Sequence, residues 1–201
     1  MNAIASAPNA LTPGDRILGL GGVLGGGALV AAFLPLNWSA EALAVRLVMF
    51  NAGAIAIVIA VHRRARALSP ESSTAVADVV AVAALLAHGS YVVIVVAGIG
   101  RPQPPEADPE FRLVLFVMGA AMWLADATFA LVAFRHRVVA RLSAAALLIG
   151  SLLAFLGMDR LELVRGDLAW FFEPAALAGI ALAGAGWTLL GIELATVGRR
   201  R

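Results

Sequence analysis

Six apolar stretches dominate this chain, at residues 17–36, 43–61, 74–99, 113–134, 138–158 and 174–195. As helices they are long enough to cross the roughly 30 Å hydrocarbon layer of a bilayer. That layer offers no water to backbone N–H and C=O groups, and a helix satisfies them all within its own segment. Residues that are 61% hydrophobic and 14% charged compare with roughly 45–50% and about 25% in soluble domains. A single core in a chain of 201 residues cannot hide that excess. The predicted fold class is therefore all-α: a polytopic membrane bundle of six transmembrane helices. One transmembrane domain covers 17–195, between a short tail, 1–16, and a basic tail, 196–201.

Arginine placement gives the direction of threading. With the N-terminus in the cytoplasm, Arg16, Arg63, Arg64, Arg66, Arg135, Arg137, Arg141, Arg199, Arg200 and Arg201 all fall inside. Arg46, Arg101, Arg112, Arg160 and Arg165 fall outside, together with eight of the acids. The expected topology is N-in/C-in, in the plasma (inner) membrane of a bacterium, since the arginine, alanine and glycine enrichment suits a genome rich in G and C. Ala40-Glu41-Ala42 resembles a signal cleavage site, but the apolar run before it is longer than the 7–15 residues of a signal h-region. The first span is expected to stay. Pro13-Gly14 reads as a turn ahead of it. "RLVMF" at 46–50 and "RLVLF" at 112–116 each open a span from the outer side, a weak sign of duplication that interfacial demands also produce.

Missing residues exclude chemistry. Cysteine is absent, which removes disulfides, thiolate metal sites and thiol nucleophiles. Lysine is absent too, all fifteen basic residues being arginine, so no Walker A lysine and no Schiff base is available. The arginines sit where topology wants them, and no nucleic-acid partner is expected.

"GLGGVLGGGA" at 19–28 raises the question of a phosphate loop. Counting from Gly19 and Gly21, the third glycine of a dinucleotide fingerprint would fall on Leu24; from Gly25 and Gly27 it would fall on Val30. Neither register works. Gly21 with Gly25, and Gly22 with Gly26, instead form two overlapping pairs four residues apart inside an apolar run. Such pairs make a flat strip on one helix face for close helix–helix packing. A bent helix lining a ligand cavity is the alternative use of such glycines.

Ionisable and polar groups at membrane depth are costly, and each marks a candidate site. The deepest are His88 in "LLAHGSYVV" and Asp126 in "MWLADATFA", with Asn51 in "MFNAGAIAI" at a similar depth. Asp78 and Glu193 lie closer to the cytoplasmic ends of their spans. One reading joins Asp126 and His88 as interhelical glue, satisfied by each other or by Asn51, Ser90, Tyr91 or Thr128. The other makes them a proton relay. His62 and His136 sit at the boundary, roughly 20 Å shallower than His88 at 1.5 Å per residue, so neither can share an axial pair with it. The two could face each other at one depth, but each is embedded among arginines like an interfacial residue, and no haem is expected. With no His-Glu-x-x-His string either, no metal or other cofactor is expected.

"DRLELVRGDLAWFFEP" reads as a short interfacial helix, then an aromatic belt at Trp170-Phe171-Phe172, with Pro174 opening the last span. No nucleophile–base pair stands at membrane depth. The expectation is a non-catalytic structural or accessory bundle in the lipid bilayer, packing with itself as a homo-oligomer or with a membrane-protein partner. A proton-coupled small-solute transporter or channel using Asp126 and His88 is the rival.

Overall fold

The computed structural model describes residues 13–32, 39–68, 74–98, 109–157 and 169–196. They form six helices: α1 (Pro13–Ala32), α2 (Ala40–Leu68), α3 (Thr74–Gly98), α4 (Pro109–Arg135), α5 (Arg141–Gly157) and α6 (Ala169–Thr196). All but α5 are long and apolar enough to cross a membrane. The 17 residues of α5 reach about 26 Å at 1.5 Å per residue.

Several helix ends differ from the sequence reading, each for a local reason. Pro13 is the first residue of α1 and not part of a preceding turn, because its missing N–H is one that the first turn leaves unpaired anyway. Asp15 and Arg16, assigned to a tail, are thereby helical. α2 runs on through "HRRARAL" to Leu68. It is launched by Ser39, whose Oγ accepts from the Ala42 N–H at 3.2 Å, satisfying a donor that the helix start orphans. Arg46, near that end, turns its guanidinium back to the Ala42 carbonyl at 2.8 Å. α6 begins five residues before Pro174, at the cost of one backbone hydrogen bond. α5 starts later than the apolar run from 138: Arg137 adopts a left-handed conformation, φ 53°, and Val138 and Val139 are tucked into the bundle as a turn before it. The interfacial segment before Gly166 lies outside the described residues.

The helices form a ring in which each packs on its sequence neighbours and α1 closes against α6. Three seams, α1–α2, α1–α6 and α5–α6, bring backbones together. A Cβ on Gly25 would lie 2.8 Å from the Gly53 Cα of α2, and one on Gly26 2.6 Å from the Gly184 carbonyl oxygen of α6. A Cβ on Gly150 would collide with the backbone of Ala183, and one on Gly179 with that of Ala154. The pairs in α1 thus work on two faces rather than one. Gly25 meets α2, Gly26 meets α6, and Gly22 faces both Ile57 and Gly191. Gly21 is in ordinary contact range of Ala56, and Gly27 faces open space.

α3 is held differently. Val76, Val79, Val82, Leu86, Val93 and Val96 all point outward, and nothing lies within 4 Å of where a Gly89 Cβ would be. No backbone-close seam of the α1–α6 kind secures it among the described residues, and polar side chains supply its fixed points.

A buried Asn–His–Asp triad and an arginine-rich bundle end

Asn51 of α2, His88 of α3 and Asp126 of α4 meet inside the ring, each 0% exposed. The Asn51 Nδ2 donates to the Leu47 carbonyl one turn back, at 2.6 Å. Its Oδ1 is then the atom facing His88 Nδ1, at 2.8 Å, so Nδ1 must carry hydrogen and donate. On the other edge of the ring, Nε2 lies 2.8 Å from Asp126 Oδ1. Two proton placements satisfy that contact: a neutral imidazole accepting from a protonated carboxyl, or an imidazolium donating to a carboxylate. The triad is electrically neutral in both, and the two differ by one proton moved along one hydrogen bond.

Aromatic rings enclose it. Phe50 and Trp187 meet the imidazole edge-on, with centroids 5.7 and 5.8 Å away. Trp123 stacks on Phe50 and Phe129 on Trp187. Through Trp187, which is fully buried, α6 joins a site that α2, α3 and α4 build. Three buried polar atoms near the bundle centre, Asp126 Oδ2, Ser151 Oγ and Trp187 Nε1, have no hydrogen-bond partner among the described residues.

A small cleft of about 20 Å³ opens between α2, α3 and α4, with His62 beside it and Ala81 and Phe129 in its wall. That is room for about one water. Ala81 and His88 are seven positions apart on α3, about 10 Å of helix. Along α2 and α3, Val58 and Ala84, both 0% exposed, lie between cleft and triad in sequence, while on α4 Phe129 borders the cleft and also stacks on Trp187 beside the imidazole.

Asp78 and Glu193 do not join the triad. Both serve the arginine-bearing end of the bundle, where every α2 arginine beyond His62 meets an acid from a different helix. Arg63 pairs with Asp15 of α1 at 3.4 Å, Arg64 with Glu193 of α6 at 3.3 Å, and Arg66 with Asp78 of α3 at 3.1 Å. His62 also lies 3.3 Å from Asp78. The second oxygen of Glu193 accepts from the Ala140 N–H at 2.8 Å, the bond to the N-cap N–H that the acid of a capping box makes from within its own helix. Thr128, a proposed partner of the triad, is exposed and donates back to the Leu124 carbonyl. Among the described residues no cluster of three or more metal-ligating side chains occurs.

Comparison with protein families, with curated proteins and with solved structures gives no match to this chain.

Sequence reasoning missed the aromatic shell and the Asp15–Arg63 pair. For the shell no signal existed, since an apolar ring facing lipid and one facing a triad look alike in sequence. Asp15 was legible in principle: an acid in the first turn of a span, on the side where α2 ends in arginines.

Proposed function

We propose that this chain is a non-catalytic multi-pass integral membrane protein, a structural or accessory bundle threaded N-in/C-in, in which Asn51, His88 and Asp126 fasten α3 between α2 and α4. The observation behind this reading is the closure of the triad. Its three side chains are wholly buried and ringed by Phe50, Trp123, Phe129 and Trp187, and among the described residues the nearby cleft is walled mainly by apolar side chains. α3, lacking a glycine seam, needs this fastening more than the other helices do. Interhelical hydrogen bonds in membranes average about 0.6 kcal/mol, enough to set register without dominating stability.

The test is proton uptake by vesicles containing the purified protein, under an imposed potential, with wild type beside Asp126→Asn. A structural triad predicts no uptake above protein-free vesicles in either.

One observation favours a second reading, a proton-coupled transporter or channel for a small solute. The triad holds a proton that can sit on either side of one hydrogen bond, and Asp126 keeps a second oxygen, Oδ2, buried without a partner among the described residues. Uptake by wild type that disappears in Asp126→Asn and in His88→Gln would replace the structural reading with this one.

A further inference from the structure

We propose that the turn between α4 and α5 is a binding site for the phosphate headgroup of an anionic phospholipid. In sequence, the strongest basic motif is "HRRAR" at 62–66, yet the structure leaves it largely neutralised, because Arg63, Arg64 and Arg66 each face a carboxylate from α1, α6 or α3. The turn is the opposite case. Arg135, Arg137 and Arg141 fall within seven residues, all exposed, and none lies within ion-pair distance of a carboxylate among the described residues. The carboxylate that does reach the turn, Glu193, is engaged on both oxygens, by Arg64 and by the Ala140 N–H. Among the described residues, the three guanidiniums have no counter-charge.

Two further features suit a headgroup. The Arg141 guanidinium carbon lies 5.9 Å from the centroid of Phe134, which holds the cation beside a partly exposed aromatic ring, the pairing expected at a membrane boundary. Arg137 occupies the left-handed region, φ 53°, where glycine or asparagine sits with less strain. In a chain with 20 glycines, a guanidinium stands at the one strained position of the turn. Guanidinium forks match phosphate oxygens bidentately, and polybasic segments beside a membrane attract anionic lipid.

Mixed micelles of phosphatidylglycerol and phosphatidylcholine provide the test, with lipids retained by the purified protein counted by native mass spectrometry. Wild type should retain phosphatidylglycerol in several-fold preference. Arg137→Gln with Arg141→Gln should bring the ratio near one, whereas Arg63→Gln with Arg66→Gln, an equal loss of charge, should leave it within about twofold of wild type. Arg137→Gly, which removes charge while easing the backbone, should lower the preference without lowering thermal stability, and it keeps the test valid if the double variant fails to fold. Preference retained in both turn variants, or lost equally in the α2 pair, overturns the proposal. So does displacement of the lipid by low-millimolar inorganic phosphate, which would make this a site for the free ion.

Discussion

The Nδ1 of His88 faces the Oδ1 of Asn51 at 2.8 Å, and the other end of that amide is anchored to its own helix at Leu47. The imidazole therefore has its Nδ1 hydrogen assigned by α2, and only its Nε2 edge, toward Asp126, remains to be settled by a proton.

Asn51→Leu removes the acceptor and strands a buried N–H in an apolar shell. An orphaned buried donor costs about 1–3 kcal/mol, more than the mean interhelical hydrogen bond is worth. Unfolding of the reconstituted protein by SDS titration should show a loss in that range. A change under about 0.5 kcal/mol, on the scale of an ordinary surface substitution, would mean that His88 finds another acceptor.

Asp126→Asn keeps the shape of the side chain and can donate an N–H to a bare Nε2, so the same titration should show a loss of less than about 1 kcal/mol, the scale of one such hydrogen bond. A larger loss would mean that the carboxyl does more for the bundle than fill one contact to His88.

The glycines of α1 are expected to behave unequally although the sequence presents them as one run. Gly26→Ala places a methyl 2.6 Å from the Gly184 carbonyl oxygen, and overpacking of this kind costs about 1–3 kcal/mol. Gly27→Ala meets nothing within 4 Å and gains up to about 1 kcal/mol in helix propensity. Thermal unfolding in detergent should rank Gly27→Ala at or above wild type and Gly26→Ala below it; equal melting temperatures would refute the seam.

Glu193→Ala should loosen the start of α5, because the Ala140 N–H loses this acceptor and Arg64 its acid. Loss of one such hydrogen bond costs about 0.5–1.5 kcal/mol, and the partly exposed ion pair adds at most about 1. Amide hydrogen exchange at residues 140–143 should speed up while exchange in α1 stays as it was.

Threading is checked with single cysteines, which this cysteine-free chain makes simple. Introduced at Gln103 and at Ser69, they should react oppositely with an impermeant thiol reagent in intact cells, Gln103→Cys labelling from outside. Labelling of Ser69→Cys from outside would reverse the N-in/C-in proposal.

What the sequence made legible was depth along the membrane normal, and what it hid was direction around each helix. Counting residues from the span ends places Asn51, His88 and Asp126 at one level, and the structure joins them. It could not reveal that Trp187 would meet them from α6, or that Gly26 is packed while Gly27 is not. In water, a helix announces its inner face through an apolar stripe. In lipid, both faces are apolar, and that stripe vanishes. Charged ends escaped for another reason: α1 and α2 extend past their apolar runs, so Asp15 and Arg63 pair outside the segments that hydropathy marks.

The seam between α1 and α6 has a consequence for biogenesis. It joins the first and last of the described helices, with Gly22 and Gly26 against Gly191 and Gly184, so it cannot form until α6 has left the ribosome and entered the bilayer. Until then α1 carries a glycine-lined flank with no partner from its own chain. Closing the ring is thus a late, post-insertional event, and the flank waiting for it is where a nascent chain of this protein is most open to a wrong neighbour.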